Sequence, residues 1–407
     1  MLVRSFCLQL LILLQLFESP CRTQGKSLKY FRNFKTTKGK FRIFGTKKTN
    51  IQPLLISTWN YTDANLQAWS VLRQGPRRTR QAVIQGCLAC QNPRCGGHFG
   101  GGSAPDSEGK LTLEAAIMDG DGLRYGAVAG IEGVRNAILV ADAVLRYTKH
   151  TLLVGKSATR FGRSMGYKED YSNVHAEKFL EQWKSNECQP NFWRDVHPSP
   201  TENCGPYLPL PQHMHQQPMH PEYPIVQGQH DQLALLALDE EGKFHVASQS
   251  TGAQFRIPGR VGDSAVPGAG IYADNEVGGA VASGDGDVLM RHLPAFLAVE
   301  ALRTGKSPHQ AAEWVVQRLL KHNTEFNGAV VVVNRRGVYA AACAGLDEFH
   351  FVVSGGKGYL SMARVERIKC LEREVEVVDG GPRGLFRIIP DKQVVPKAGG
   401  KRNGDKS

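Results

Sequence analysis

The chain has 407 residues, of which 41% are hydrophobic and 8% aromatic, and it carries a formal net charge of +12. This composition is typical of a globular protein and excludes a fibrous or low-complexity one. The charge lies at the ends, because residues 22–50 contain ten Lys or Arg and no acid, and residues 381–407 carry +5. Residues 51–380 have a net charge of −3, so we expect no nucleic-acid partner and interpret the two basic ends as disordered tails.

The first 21 residues have the pattern of a secretory signal peptide. Arg4 precedes an apolar run at residues 8–17, which ends at Ser19 and Pro20 before Cys21. A run of about ten apolar residues is too short to span a membrane and typical of a cleaved signal. No later stretch has the roughly 18 apolar residues of a membrane helix, so we expect no transmembrane segment. The sequence predicts a protein of the secretory pathway, either secreted or lysosomal.

Cysteine usage and one sequon agree with that route. Seven cysteines follow residue 21, which in an oxidising compartment predicts disulfides with one thiol left over. Pairing of near neighbours suggests Cys90–Cys95, Cys188–Cys204 and Cys343–Cys370. A zinc or redox site at Cys87 and Cys90 is the less favoured interpretation, because no second pair lies at zinc-ligand spacing. Asn60 begins the only N-glycosylation sequon, Asn-Tyr-Thr.

The first half of the body, residues 51–195, mixes strand and helix patterns. Residues 54–59 read as a short buried strand, and residues 64–90 show helical spacing that is interrupted near Gly75 and Pro76. An apolar run at 111–118 follows a glycine-dense loop. Helical periodicity returns over residues 132–149.

Residues 196–230 form a segment rich in proline and histidine, with few aliphatic residues. We predict a long linker, since such segments are usually functional or disordered. A histidine metal site is disfavoured because the spacing of the histidines is irregular.

The second half, residues 231–380, begins with a clear hairpin signal. Leu233–Leu238 and residues 244–248 flank a turn sequence, Asp-Glu-Glu-Gly. Glycine-rich turns follow, then two amphipathic helices over 288–304 and 308–322, and short strands at 328–333, 338–342 and 349–353. Because strands and helices are segregated into blocks, the sequence predicts an α+β fold.

Two pairs of residues after the hairpin suggest a small-molecule site. Arg260 can grip a carboxylate bidentately and Asp263 can bind an ammonium group, as the two ends of an amino acid require. The alternative is a mutual salt bridge that braces a turn. Ser283 and Gly284 can offer a hydroxyl and a backbone N–H to an oxyanion, or can form an ordinary glycine turn. The residues alone therefore predict a small-molecule site without a reaction.

Several motifs, in a fixed order along most of the chain, carry a family resemblance. They are STWN (57–60), MDG (118–120), VRNAI (134–138), HTLLVGKSAT (150–159), CQPNFWRDV (188–196), GRVGDS (259–264), PGAGIYAD (267–274) and GDGDVLMR (284–291). Over residues 54–351 the chain is similar to the glycosylasparaginases, N4-(β-N-acetylglucosaminyl)-L-asparaginases of the N-terminal-nucleophile hydrolase superfamily. The resemblance implies a four-layer αββα sandwich.

The reaction of that family depends on a threonine that this chain lacks. Family members cut themselves within an HDT segment, and the new N-terminal threonine supplies both the nucleophilic hydroxyl and the α-amine that acts as base. The matching segment here reads His230-Asp231-Gln232, so Asp231 precedes the lost cleavage site and Gln232 occupies the nucleophile position. Because a carboxamide is not a useful nucleophile, the resemblance implies an unprocessed chain with no intact catalytic residue.

The rest of the family's site is largely retained. Arg260 and Asp263 match the pair that holds the α-carboxylate and α-amino group of the substrate. The other matches are the oxyanion-hole pair Ser283 and Gly284, the pocket-lining Trp59, and Ser250 in place of a threonine beside the nucleophile. The family's disulfides correspond to the three suggested above. A fourth family bridge is missing, with Ala312 and Val332 at its two positions.

We therefore predict an inactive homologue that binds an aspartate- or asparagine-like small molecule, with no metal and no cofactor. Loss of a covalent nucleophile typically costs a hydrolase several orders of magnitude in rate, and for this reason we favour the inactive homologue over the alternatives. One alternative is an active hydrolase of the GlcNAc–Asn amide bond of glycosylasparagines, or of asparagine, that uses Ser250 or Ser283. Another is a binding module that acts through its basic tails. Family members are lysosomal dimers of processed halves, so the resemblance also implies a homodimer.

Overall fold

Two β-sheets lie face to face in the computed structural model, with helices on both outer sides. The structure describes residues 51–90, 95, 103–167, 176–211, 232–356, 363–371, 375–377 and 386–388. All of these belong to one compact unit that begins at Lys48. The predicted signal peptide, the basic tail at 22–50, the tail at 381–407 apart from residues 386–388, Asp231 and residues 212–230 of the predicted linker lie outside the described residues.

The helices and strands have the following bounds. In chain order they are β1 (Leu54–Thr58), α1 (Thr62–Leu72), α2 (Thr79–Ala89), β2 (Thr112–Asp119), β3 (Arg124–Glu132), α3 (Ala137–Tyr147), β4 (Leu152–Val154), α4 (Gly155–Ser164), α5 (Ala176–Ser185), β5 (Val196–His197), β6 (Leu208–Pro209), β7 (Leu233–Leu238), β8 (Phe244–Ser250), β9 (Ile271–Asp274), β10 (Gly278–Gly284), α6 (Gly286–His292), α7 (Pro294–Arg303), α8 (Pro308–His322), β11 (Gly328–Asn334), β12 (Tyr339–Ala344), β13 (Glu348–Gly355), β14 (Arg364–Lys369), β15 (Val375–Val377) and β16 (Phe386–Ile388).

Strands from both halves of the sequence alternate in the larger sheet. Its eight strands have the order β14-β13-β1-β7-β8-β2-β3-β4, and β7 pairs antiparallel with both β1 and β8. The smaller sheet has the order β12-β11-β10-β9. Because β7 lies inside a sheet that also contains β1 and β2, the two halves form one domain and not two.

Alternation along the strands produces three hydrophobic layers. Leu55 and Leu235 pack against helices α1 to α3, whereas Ile56 and Leu236 face the smaller sheet. In the smaller sheet, Val281 faces the larger sheet, and its neighbours in β10 pack against α7 and α8. Successive side chains of a strand point to opposite faces, so these two sheets are covered on both faces. The predicted α+β fold with four layers, αββα, is confirmed.

The helix signals explain one success and one error of the prediction. Helix α8 begins with a capping box, in which Ser307 Oγ accepts from the Gln310 backbone N–H and the Gln310 side chain accepts from Ser307 N–H. The single helix predicted over 288–304 is wrong. Leu293 has a left-handed φ of +50° and Pro294 begins α7, because proline cannot continue the hydrogen bonding of α6.

The three predicted disulfides are present, at Cys90–Cys95, Cys188–Cys204 and Cys343–Cys370. Cys87 is free and buried, and burial raises the pKa of its thiol. Part of the predicted linker is ordered, since the two-residue strands β5 and β6 pair within residues 196–211. No described helix is long and apolar enough to cross a membrane.

Candidate functional site

The candidate site is the group Trp59, Gln232, Arg260, Asp263, Ser283 and Gly284, which lies near the ends of strands β1, β7 and β10. Gln232 directly precedes β7, and its backbone carbonyl accepts from Thr58 Oγ1 at 3.2 Å and from Ser283 Oγ at 3.3 Å. Thr58 Oγ1 also accepts from the backbone N–H of Ala234 at 2.9 Å. These contacts hold residue 232 between the two sheets.

Trp59 and Ser283 form a chain of hydrogen bonds to the same carbonyl. Trp59 Nε1 donates to Ser283 Oγ at 2.8 Å, and Ser283 donates its one hydroxyl proton to Gln232. The ring of Trp59 also packs edge-on against Phe349, with ring centroids 5.1 Å apart. The hydroxyl of Ser283 is therefore oriented by one aromatic donor and one backbone acceptor.

The next residue, Gly284, has a conformation that requires glycine. Its φ is +140°, and a Cβ atom there would collide with the backbone of Asn327 and Gly328. This close approach lets the Asp285 backbone N–H donate to the Asn327 carbonyl at 2.9 Å. Gly284 is therefore the last residue of β10, paired with Gly328, and not part of the predicted glycine turn.

Arg260 pairs with an acid that differs from the predicted partner. Its Nη2 donates to Asp287 Oδ2 at 3.0 Å, on the first turn of α6. Asp263 lies nearby, since a Cβ atom on Gly286 would come within 2.6 Å of Asp263 Oδ1 and 2.8 Å of Arg260 Nη2. Arg260 and Asp263 are therefore neighbours, but the ion pair of Arg260 is with Asp287.

A third acid, Glu114, lies behind the guanidinium. The backbone N–H of Gly262 donates to both carboxylate oxygens of Glu114, at 2.8 and 2.9 Å. A Cβ atom on Gly262 would lie 2.6 Å from Arg260 Nη1 and 3.0 Å from Glu114 Oε2. Arg260 is thus surrounded by three carboxyl groups on three different elements.

Comparison with known proteins identifies the family. A family model described as "Asparaginase" matches residues 46–359. The chain is 79% identical over 397 residues to L-asparaginase-like protein GD25160 of Drosophila simulans, which covers 97% of this chain and 100% of the relative. The chain belongs to the asparaginase family of N-terminal-nucleophile hydrolases.

Other L-asparaginase-like proteins match over most of their length. Protein CG4372 of Drosophila melanogaster is 78% identical over 97% of this chain and 100% of the relative. Protein GA18140 of Drosophila pseudoobscura pseudoobscura is 65% identical over 84% of this chain and 75% of the relative. The likeness thus extends beyond the short motifs of the site.

In this asparaginase-family chain, the side chain of Gln232 is buried without a hydrogen-bond partner. The residue is 3% exposed, and neither Nε2 nor Oε1 has a partner among the described residues. A Cβ atom on Gly270 would collide with Nε2, so the carboxamide lies directly against that glycine. An unpaired buried amide is costly, which makes this side chain the least satisfied polar group of the site.

Ser250 lies beside the head of β7. It follows Gln249, which pairs with Leu233, and its own partner in β2 is Glu114. Ser250 Oγ accepts from the backbone N–H of Gly252 at 2.8 Å. Its hydroxyl thus stabilises the turn after β8.

Burial controls the charges of this asparaginase-family site. Burial raises the pKa of Asp263 to about 8, although Arg260 opposes the shift. Burial also raises the pKa of Glu114, again against the effect of Arg260. For Arg260 itself burial disfavours the cation, but Glu114 and Asp287 outweigh burial and raise its pKa. At neutral pH, Asp263 therefore carries a proton for most of the time.

Sequence reasoning missed three residues of the site: Thr58, Glu114 and Asp287. Thr58 and Asp287 stand inside quoted motifs, STWN and GDGDVLMR, in which only neighbouring residues received a role. Glu114 had a usable signal, because it is the one charged residue within the apolar run 111–118. A lone acid on a buried strand needs a partner, and Arg260 provides one.

Proposed function

We propose that this chain is an uncleaved, catalytically inactive member of the asparaginase family that binds an aspartate- or asparagine-like carboxylate. The observation that supports this proposal most strongly is the position of Gln232 directly before β7. Its carbonyl hydrogen-bonds to Thr58 and Ser283, which supports the register in which residue 232 takes the nucleophile's position. A carboxamide at that position cannot attack a backbone carbonyl or a substrate amide.

The remaining hydroxyls of the site have other tasks, which supports inactivity. Ser283 donates to the Gln232 carbonyl, and Thr58 bridges Gln232 and Ala234. Ser250 accepts from Gly252, and no described histidine or lysine hydrogen-bonds to it. A hydroxyl needs an adjacent base to become a nucleophile, and none of these three hydrogen-bonds to one in the described part of the chain.

The binding half of the proposal rests on Arg260. Its guanidinium forms an ion pair with Asp287 and lies near the buried Glu114, and its side chain is 17% exposed. A guanidinium fixed in this way on a partly exposed side chain suits a ligand carboxylate, because Arg matches carboxylate geometry. Trp59 and Ser283 are the groups that would line the ligand's other end.

The first test concerns processing and turnover of the purified full-length protein. Intact-mass analysis under reducing conditions should give one chain, with no break before Gln232. Incubation with a glycosylasparagine should release no more aspartate than buffer does. Two fragments that meet at residue 232, together with aspartate release, would reject the proposal.

An active hydrolase remains the competing candidate, favoured by the retained arrangement of Arg260, Asp263 and Ser283. It requires aspartate release that Ser250→Ala or Ser283→Ala abolishes. Gln67→Ala, at an exposed position of α1, is the matched control and should leave any release unchanged.

We also propose that the chain enters the secretory pathway, is secreted or lysosomal, and is glycosylated at Asn60. Three disulfides support an oxidising compartment. Asn60 is exposed, and Thr62 Oγ1 donates to Asn60 Oδ1 at 3.1 Å, so the sequon is accessible. Glycosidase treatment of protein from a eukaryotic secretory host should lower its mass, and Asn60→Gln should remove that difference.

A further inference from the structure

A small space beside Gly270 contains two polar groups that lack partners. The carboxamide nitrogen of Gln232 lies against this glycine, and a Cβ atom there would be 3.1 Å from Asp263 Oδ2. Neither Gln232 Nε2 nor Asp263 Oδ2 has a hydrogen-bond partner in the described part of the chain, and both are buried. The carboxamide of Gln232 and this oxygen of Asp263 therefore lie next to the same glycine.

The other oxygen of Asp263 faces the opposite way, toward the guanidinium. Asp263 Oδ1 and Arg260 Nη2 both lie within 3 Å of the position of a Cβ on Gly286, at 2.6 and 2.8 Å. The Arg260 end and the Asp263 end of the site thus differ in how accessible they are to a ligand. The side chain of Arg260 is 17% exposed, whereas the oxygen of Asp263 that lies near Gln232 is buried.

An amino acid needs both ends of the site. Its carboxylate suits Arg260, and its ammonium group would need an oxygen of Asp263 that is accessible and charged. We propose that Gln232 determines which ligands the site takes: its carboxamide occupies the place beside Asp263 that an ammonium group would need, so the native chain prefers small carboxylates without an α-amino group. The proposal deepens the proposed function and rests on it.

The charges around Asp263 also favour a ligand without an α-amino group. The groups that face it are Arg260, Glu114, Asp287 and the buried hydroxyl of Tyr125. Burial raises the pKa of Asp263 to about 8, so at pH 7 its carboxyl group is mostly neutral. A neutral carboxyl attracts an ammonium group weakly and does not repel a carboxylate that binds Arg260.

The test compares succinate with L-aspartate, which differ by the α-amino group alone. Titration calorimetry at pH 7 should give a Kd for succinate at least about tenfold lower than for L-aspartate on the native chain. Gln232→Ala should strengthen L-aspartate binding about tenfold, because the bound state no longer has to displace the carboxamide. Gln232→Met keeps the length of the side chain and should retain the native preference.

Controls separate this inference from the proposed function. Arg260→Gln should weaken both ligands, and Gln67→Ala should weaken neither. If Gln232→Ala does not unfold cooperatively, Gln232→Val provides the shorter side chain with more packing retained. Equal affinity for the two ligands on the native chain, or an unchanged preference in Gln232→Ala, overturns the inference and leaves the proposed function standing. Absence of binding of either ligand to every variant overturns both.

Discussion

In the proposed register, the carboxamide of Gln232 stands where the family's chemistry needs a hydroxyl. The family uses that hydroxyl twice, first to cut its own chain and then to attack the substrate amide. Here the surrounding groups are retained, since Thr58 and Ser283 still hydrogen-bond to the carbonyl of residue 232. Under the proposed function, this one substitution accounts for the loss of both reactions without a change of fold.

Restoring the hydroxyl should restore chain cleavage if the surroundings are intact. We expect Gln232→Thr to break the chain before residue 232, giving two bands on a reducing denaturing gel. Gln232→Ala is the control and should stay whole, because it removes the carboxamide without adding a nucleophile. A Gln232→Thr chain that also remains whole would mean that the retained hydroxyls are insufficient for the acyl shift.

The buried Asp263 should make stability depend on pH. Its pKa is about 8 in the folded chain, and that of an unfolded aspartate is about 3.9. The folded state therefore holds a proton that the unfolded state releases. The stability from this proton is complete below pH ~3.9 and is lost as pH rises to about 8, by about 1.4 kcal/mol per pH unit.

The window from pH 6.5 to 8 separates this effect from that of His245. Burial lowers the pKa of His245 to about 4. This histidine therefore makes the folded state more stable as pH rises, but only below about pH 6.5. Urea unfolding of the native chain should therefore show a fall in the free energy of unfolding between pH 6.5 and 8. Asp263→Asn cannot ionise and should flatten the fall; the same slope in both proteins would contradict the assignment.

At the scale of elements, β7 is the strand on which the site depends. All six of its residues are buried, and Leu235 packs into the layer between the larger sheet and the helices. Leu235 lies close to α2, since a Cβ atom on Gly86 would come within 2.6 Å of its Cδ1. Helix α2 and strand β7 thus approach closely at Gly86, which helps to fix the position of β7 and of Gln232 before it.

Truncation of Leu235 should be costly. We expect Leu235→Ala to lower the free energy of unfolding by about 2–5 kcal/mol, because it leaves a cavity in a closely packed layer. Leu66→Ala is the matched control: Leu66 lies on α1, is 41% exposed, and should change stability by less than about 0.5 kcal/mol. Comparable losses in both variants of a urea titration would contradict the burial of β7.

Elements with a regular apolar pattern could be predicted from the sequence, and glycine-rich ones could not. The hairpin β7–β8, strand β1, helix α8 and strands β11 to β13 were predicted close to their observed bounds. Strand β10 was interpreted as turns because both of its ends are glycine. Gly278 and Gly284 are nevertheless strand residues, since each lies too close to the backbone of β11 for a side chain.

The sequence named candidate site residues through local patterns and the family resemblance, but it did not name Glu114, which reaches the site only through the fold. Arg260 and Asp263 stand in one glycine-rich segment, and both were found. Glu114 reaches Gly262 across 148 positions of sequence, through the pairing of β2 with β8. Such a contact depends on the sheet order, which no local pattern contains.

At the scale of the whole molecule, the distribution of charge is uneven. Residues 22–50 carry +10, whereas residues 51–380 carry −3. A protein with this distribution should meet anionic surfaces through its ends, because attraction depends on local charge and falls within about 10 Å at 0.1 M salt. The proposed binding site at Arg260 is different in kind, since three carboxyl groups lie around its guanidinium.

Binding to heparin should therefore be separable from ligand binding. Deletion of residues 22–50 lowers the net charge of residues 22–407 from +12 to +2, so elution from heparin should move to markedly lower salt. The free energy of unfolding and the affinity for succinate should not change, because Arg260, Glu114 and Asp287 all lie outside the deleted segment. Unchanged heparin retention would instead assign the attraction to the body. Since that body is net negative, it would have to contain a local basic patch that the total charge conceals.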